Sequence, residues 1–168
     1  MSRAITHIVV HHSAGNGGTL DEIRSLHVRG NGWSDIGYHK LITNGRDIGG
    51  KPSTDAADGD IFSGRPESRA GAHCSNASRG GAHNSYTLGV CVTGNFEISE
   101  PSLAQERALA VVIATWCAVY RIPIDRSHIR GHREMVGHAS NNCPGRFLLA
   151  RLDVILNRAK KLAGSTAG

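Results

Sequence analysis

The stretch Ile5-Thr6-His7-Ile8-Val9-Val10-His11 is short, β-branched and mostly apolar, and it stops at Ser13-Ala14-Gly15-Asn16-Gly17-Gly18. A run of this kind, ended by polar and glycine residues, reads as a buried strand. His11 and His12 then stand at the strand's end. Thr19 can cap a following helix, with Asp21 and Glu22 in its first turn and Leu20, Ile23, Leu26 and His27 at helical spacing as far as Gly30.

Outward from this unit the chain keeps alternating strand and helix. Tyr38 to Thr43 reads as a second strand closed by Asn44-Gly45, a hairpin signal because both residues tolerate positive φ. Arg46 to Ser85 lacks periodicity and reads as loops around a short strand near Ile61-Phe62, with no role assigned to 46–60. Leu88 to Thr93 reads as a covered strand. A long helix follows, with Ser99 as its cap, Pro101 in its first turn and Leu103, Ala110, Val111, Ala114 and Ala118 along one face up to Tyr120. His128 to Arg130 is expected as a short edge strand, and Pro144 to Leu162 as a last helix through Phe147, Leu148, Leu152, Ile155, Leu156 and Ala159. The pattern predicts an α/β fold in a single domain, 1–163, with a central mixed β-sheet flanked by about three α-helices and a flexible tail at 164–168.

Size and composition narrow the function. At 168 residues and 17.9 kDa the chain can enclose one sizeable core, and 39% hydrophobic against 20% charged residues is the balance of a folding chain. The longest apolar candidate, Leu109 to Tyr120, is shorter than the roughly 20 residues that cross a bilayer, so no membrane insertion is expected. The first residues show no signal peptide, which predicts cytoplasmic synthesis, where Cys74, Cys91, Cys117 and Cys143 would be thiols or metal ligands. A net charge of +5 favours polyanions such as nucleic acid, membrane surfaces or cell walls. The only dense basic run is Arg158-Ala159-Lys160-Lys161 and aromatic residues make up 5%, so nucleic-acid binding is not expected.

Ten histidines are many for this length, and His11, His12, His39, His73, His83, His128, His132 and His138 fall where strands end or loops begin. Imidazole nitrogen and thiolate sulfur suit zinc, and three protein ligands plus water make a catalytic site; His11, His132 and Cys143 can supply such a set. Taken singly, a histidine at a strand end is ordinarily a surface residue and a cysteine beside Pro144 ordinarily a small core residue. The interval from His132 to Cys143 is not a compact zinc-finger spacing either.

Several ordered segments resemble the type 2 N-acetylmuramoyl-L-alanine amidases, a family that includes amidase-type phage lysozymes and peptidoglycan recognition proteins. Val9-Val10-His11-His12-Ser13-Ala14 resembles the family's first ligand strand, and Gly32-Trp33-Ser34-Asp35-Ile36-Gly37-Tyr38-His39 its G-W-x-D-[IV]-G-Y-H segment. Gly71-Ala72-His73, Asn84 and Leu88 to Phe96 follow in order, and Gly131-His132-Arg133-Glu134 with Cys143-Pro144-Gly145 is similar to the last ligand pair. The resemblance implies one Zn2+ per chain in a surface groove, held by His11, His132 and Cys143, with His12 a neighbour. It implies that Tyr38 orients or helps deprotonate the attacking water, and that His73 and Asn84 line the groove for the peptide stem.

Two departures stand out. The loop Met135 to Asn142 is longer than the family pattern, and Asn141 stands where phage enzymes often carry a catalytic lysine, so Asn141 or His138 is left to stabilise the developing oxyanion. Cys91 occupies a strand position where some bacterial branches carry a catalytic glutamate. The implied activity is hydrolysis of the amide between N-acetylmuramic acid and L-alanine in bacterial peptidoglycan, by a monomeric phage or prophage endolysin that reaches the wall through a separate pore. A non-catalytic recognition module and a cytosolic amidase that recycles wall fragments are the alternatives. Retention of Cys143, commonly lost in the non-catalytic branch, weighs against the first.

Overall fold

The computed structural model describes residues 3–75 and 83–165. In chain order the elements are β1 (His7–His12), α1 (Leu20–Ser25) continued by a π-helical turn (Leu26–Gly30), β2 (Lys40–Asn44) and β3 (Asp58–Ser63). Then come α2 (His83–Tyr86), β4 (Thr87–Val92), α3 (Leu103–Tyr120), β5 (Ile129–Gly131), a 3-10 turn (His132–Glu134) and α4 (Arg146–Ser165). The five strands form one sheet of order β3-β2-β4-β1-β5. β1 lies parallel to β4 and β5, β2 lies parallel to β4, and only β3 runs antiparallel. This is the mixed-sheet α/β domain that the alternating pattern predicts.

β1 and β4 are buried without alternation because both faces of the sheet are covered. On one face Ile8, Val10, Leu88, Val90 and Val92 meet Leu109, Ile113 and Trp116 of α3 and Leu148, Leu152 and Ile155 of α4. On the other face, Leu41 and Cys91 pack with Ile23 of α1 and Ile36, while Val9 packs with Cys74 and Met135. Side chains alternate along a strand, so His11 shares Val9's face and His12 points toward the two long helices.

Thr19 caps α1 as expected, in a full capping box with Glu22. Other expectations are corrected. Ser102, not Ser99, caps α3: its hydroxyl accepts from Gln105 N and the Gln105 side chain accepts from Ser102 N, so Pro101 lies ahead of the helix. The core-facing stripe of α3 is also turned from the one expected. Leu103 and Val111 are exposed, whereas Leu109, Val112, Ile113 and Trp116 are buried. α3 is apolar nearly all round, so periodicity alone does not select its inner face; its length and apolarity would suit a membrane span, yet half of it is buried in this core.

Asn44-Gly45 does turn the chain, with Gly45 at φ 71°, but not into a tight hairpin. The partner of Asn44 is Asp58, and the intervening excursion carries an isolated bridge between Arg46 and Pro52. Much of the 46–60 stretch is therefore the route by which edge strand β3 is delivered. α4 begins at Arg146 rather than Pro144 and runs through Ser165, beyond Leu162 and into the expected tail; residues 166–168 lie outside the described residues.

Candidate metal centre

The site lies past the carboxyl ends of the parallel strands, where open α/β sheets place their ligands. His11 comes from the end of β1, His132 from the 3-10 turn after β5, and Cys143 from the turn into α4. Gly131 has the Pro144 ring and the Leu149 side chain where a Cβ would stand, and Gly145 at φ 88° lies against the Phe96 backbone. These close approaches press the Cys143 turn onto the strand end.

One ligand atom from each of His11, His132 and Cys143 lies within 4.8 Å of the others. His11 Nδ1 is 3.5 Å from Cys143 Sγ. Zinc bonds to nitrogen and sulfur at a tetrahedral angle would set these atoms about 3.6 Å apart, so the pair fits a common ion. The hydrogen-bond pattern fixes the tautomer as well. The Thr87 hydroxyl donates to His83 O (2.7 Å), so its oxygen accepts from His73 Nε2, 3.4 Å away. His73 Nδ1 is then a lone pair that accepts from His11 Nε2 (3.0 Å), which leaves the lone pair of His11 on Nδ1, beside the sulfur.

Burial sets the protonation of the three side chains. Burial, reinforced by the His73 and His132 rings, holds His11 well below the usual histidine range, and burial lowers His132 to about 4, so both are neutral donors at neutral pH. Burial pushes the Cys143 thiol up to about 12, partly opposed by the His12 backbone N–H, which donates to the sulfur (3.4 Å). A thiolate there needs a cation beside it. The ring of His12 lies on the other face, where its Nδ1 accepts from Phe96 N (3.2 Å).

Tyr38 stands against His11 with ring centroids 5.1 Å apart. Burial, the Cys91 and Cys143 sulfurs and a hydrogen bond with the Cys91 side chain raise its hydroxyl well above 10. It stays a proton donor. The His27 ring is also against Tyr38, tilted, with centroids 5.3 Å apart.

The remaining expected residues are near the centre, each with at least one partner. His73 is buried behind His11, and Asn84 Oδ1 accepts from His73 N (3.1 Å) and Cys74 N (2.9 Å), bracing that segment. Asn141 Oδ1 accepts from Cys143 N (3.0 Å). His138 turns inward, with Nδ1 3.0 Å from His132 Nε2.

Sequence reasoning missed several contributors. Thr87 anchors the tautomer chain, Gly89 leaves room for the His73 ring across the strand, and Cys74 forms a second three-ligand group with His132 and His138, again within 4.8 Å. Arg3 donates to the carbonyls of Glu67, Arg69, Asn84 and Thr87, tying together the segments that carry His73. A lone arginine near the start and a mid-strand glycine carry no signal of such roles.

The profile of the N-acetylmuramoyl-L-alanine amidase family matches residues 1–146. The chain belongs to this family. Peptidoglycan-recognition protein SC2 of Drosophila melanogaster is 30% identical over 154 residues, which cover 86% of this chain and 71% of that protein. Among solved structures, the N-acetylmuramoyl-L-alanine amidase LysC from Clostridium intestinale superimposes with a TM-score of 0.70 at 28% identity, over 92% of this chain and 87% of that one. The endolysin amidase LysCS from the same organism also gives 0.70, at 27% identity over 92% and 85%.

Proposed function

We propose that the protein is a zinc-dependent amidase that hydrolyses the bond between N-acetylmuramic acid and L-alanine in bacterial peptidoglycan, in the manner of an endolysin. The carrying observation is the triad of His11, His132 and Cys143, with neutral imidazoles and the His11 lone pair turned toward the sulfur. Similarity to an endolysin amidase and to a peptidoglycan-recognition protein supports the substrate class. Retention of both Cys143 and Tyr38 favours catalysis over recognition alone.

The chemistry a bound zinc ion supplies is polarisation of an amide carbonyl and acidification of water to about 7. The protein's own part is positioning. His73 holds the His11 ring in the tautomer that offers Nδ1, and Asn141 and the His12 N–H fix Cys143 from two sides. Tyr38, kept protonated, donates to the amide oxygen as negative charge grows there.

Mass analysis of purified peptidoglycan after digestion, with and without a chelator, tests this reading. Free stem peptides beginning at L-alanine are expected, with cleavage lost on chelation and restored by about one equivalent of zinc per chain. Cleavage by metal-free protein would sink the proposal.

A further inference from the structure

The triad just described is not the only set of zinc-type donors here. Cys74, His132 and His138 also bring one ligand atom each within 4.8 Å of one another, and they include the same sulfur-plus-two-imidazole chemistry. Cys74 is a fully buried free thiol beside Val9 and Met135. His138 comes from the enlarged loop, and the loop holds its ring against His132, with centroids 4.5 Å apart. Its Nδ1 faces His132 Nε2, while its Nε2 is buried with no hydrogen-bond partner among the described residues. Either tautomer leaves that nitrogen unsatisfied, which a purely structural histidine would ordinarily avoid.

We propose that Cys74, His132 and His138 form a second position for a thiophilic divalent cation such as zinc, alternative to the first triad and sharing His132 with it. The inference rests on the reading of His11, His132 and Cys143 as the first position. A neutral imidazole offers a single lone pair, so His132 serves one ion at a time. The two positions are therefore mutually exclusive, and an ion held by Cys74 and His138 is withdrawn from His11 and Cys143. The second position is a holding site that the longer loop adds beside the reactive one.

Cobalt(II) is a suitable probe, because a bound thiolate gives a charge-transfer band that reports the sulfur ligand. Wild-type protein is expected to bind one equivalent. Cys143→Ser should still bind about one equivalent and keep a thiolate band, now from Cys74, with affinity lowered. Adding Cys74→Ser should abolish the band, and adding His138→Ala should weaken binding by about tenfold or more. Circular dichroism checks the fold of each variant. His11→Ala gives a second route: Cys74→Ser should cost it about tenfold in cobalt affinity, but cost the wild type less than about threefold. A Cys143→Ser protein with no thiolate band, or a band that survives in the double cysteine variant, overturns the second position and leaves the first untouched. Loss of tight wild-type binding through Cys74→Ser but not through Cys143→Ser would instead overturn the first.

Discussion

At the scale of single residues the centre is governed by which proton each imidazole keeps. The Thr87 hydroxyl is committed to the His83 carbonyl, and this one bond propagates through His73 to place the His11 lone pair on Nδ1. His73→Ala is therefore expected to lower zinc affinity by about ten- to a hundredfold with the fold retained, measured by competition with a chromophoric chelator. An unchanged affinity would show that the ring only fills space. For Tyr38 the neighbours decide. Burial and the Cys91 and Cys143 sulfurs keep its hydroxyl protonated, so Tyr38→Phe should keep zinc content and melting temperature while kcat on peptidoglycan drops by about a hundredfold or more. Equal turnover at equal zinc content would make the hydroxyl idle. The tyrosine was legible from its flanking segment, but its bond to Cys91 was not, since the two lie far apart in the chain.

Among the elements, the turn from Cys143 into α4 matters most to the centre. Gly145 adopts φ 88° against the Phe96 backbone, Phe147 N donates to Phe96 O (2.9 Å), and Arg133 N donates to Cys143 O (2.8 Å). An alanine at 145 combines a left-handed backbone with a direct clash. Gly145→Ala should cost more than about 2 kcal/mol of stability and weaken zinc binding with it, read by thermal unfolding with and without metal. A variant melting with the wild type would show that the turn relaxes freely. Existence of most elements was legible, since β-branched runs and capping residues act locally. The start of α3 was not: Ser99 and Ser102 both suit a cap, and only Gln105, three residues after Ser102, completes the reciprocal bonds. The partner of Asn44 was equally hidden, because pairing with Asp58 is set by the sheet and not by the turn.

For the whole molecule, the cluster of buried imidazoles sets the response to acid. His39 accepts from Gly89 N (2.9 Å), its Nε2 lies 3.1 Å from Arg69 O, and burial lowers it to about 4. Its unfolded value is about 6.5, so between roughly pH 6.5 and 4 the unfolded chain binds the extra proton. Stability is therefore full above that window and is lost as the pH falls through it, by about 1.4 kcal/mol per pH unit for each such group. His132, also near 4, and His11, held well below the usual histidine range by burial, add to the slope in the metal-free protein. His39→Gln, which keeps one acceptor and one donor, should flatten the dependence of metal-free stability on pH by about one proton's share, measured by denaturant titrations from pH 7 to 4. A slope identical to the wild type would mean that His39 protonates without cost in the fold.

The sequence by itself determined the α/β class and the strand that ends in His11, because strand hydrophobicity is written in residue type and local order; it marked His11, His132 and Cys143 as a candidate ligand set only through their resemblance to a family pattern, and the fold brings one ligand atom of each within 4.8 Å of the others. The tertiary structure decided which residues stand behind those ligands. Thr87, Gly89, Cys74, Asn84 and Arg3 reach the centre across the sheet and between loops, and pairing over such distances follows from how the two faces of the sheet are covered. It also gave His138 and Asn141 their partners: one ring nitrogen lies 3.0 Å from His132 Nε2 and one amide oxygen holds Cys143 N, contacts that exist only once β5 and α4 have brought both ends of that loop to the end of β1.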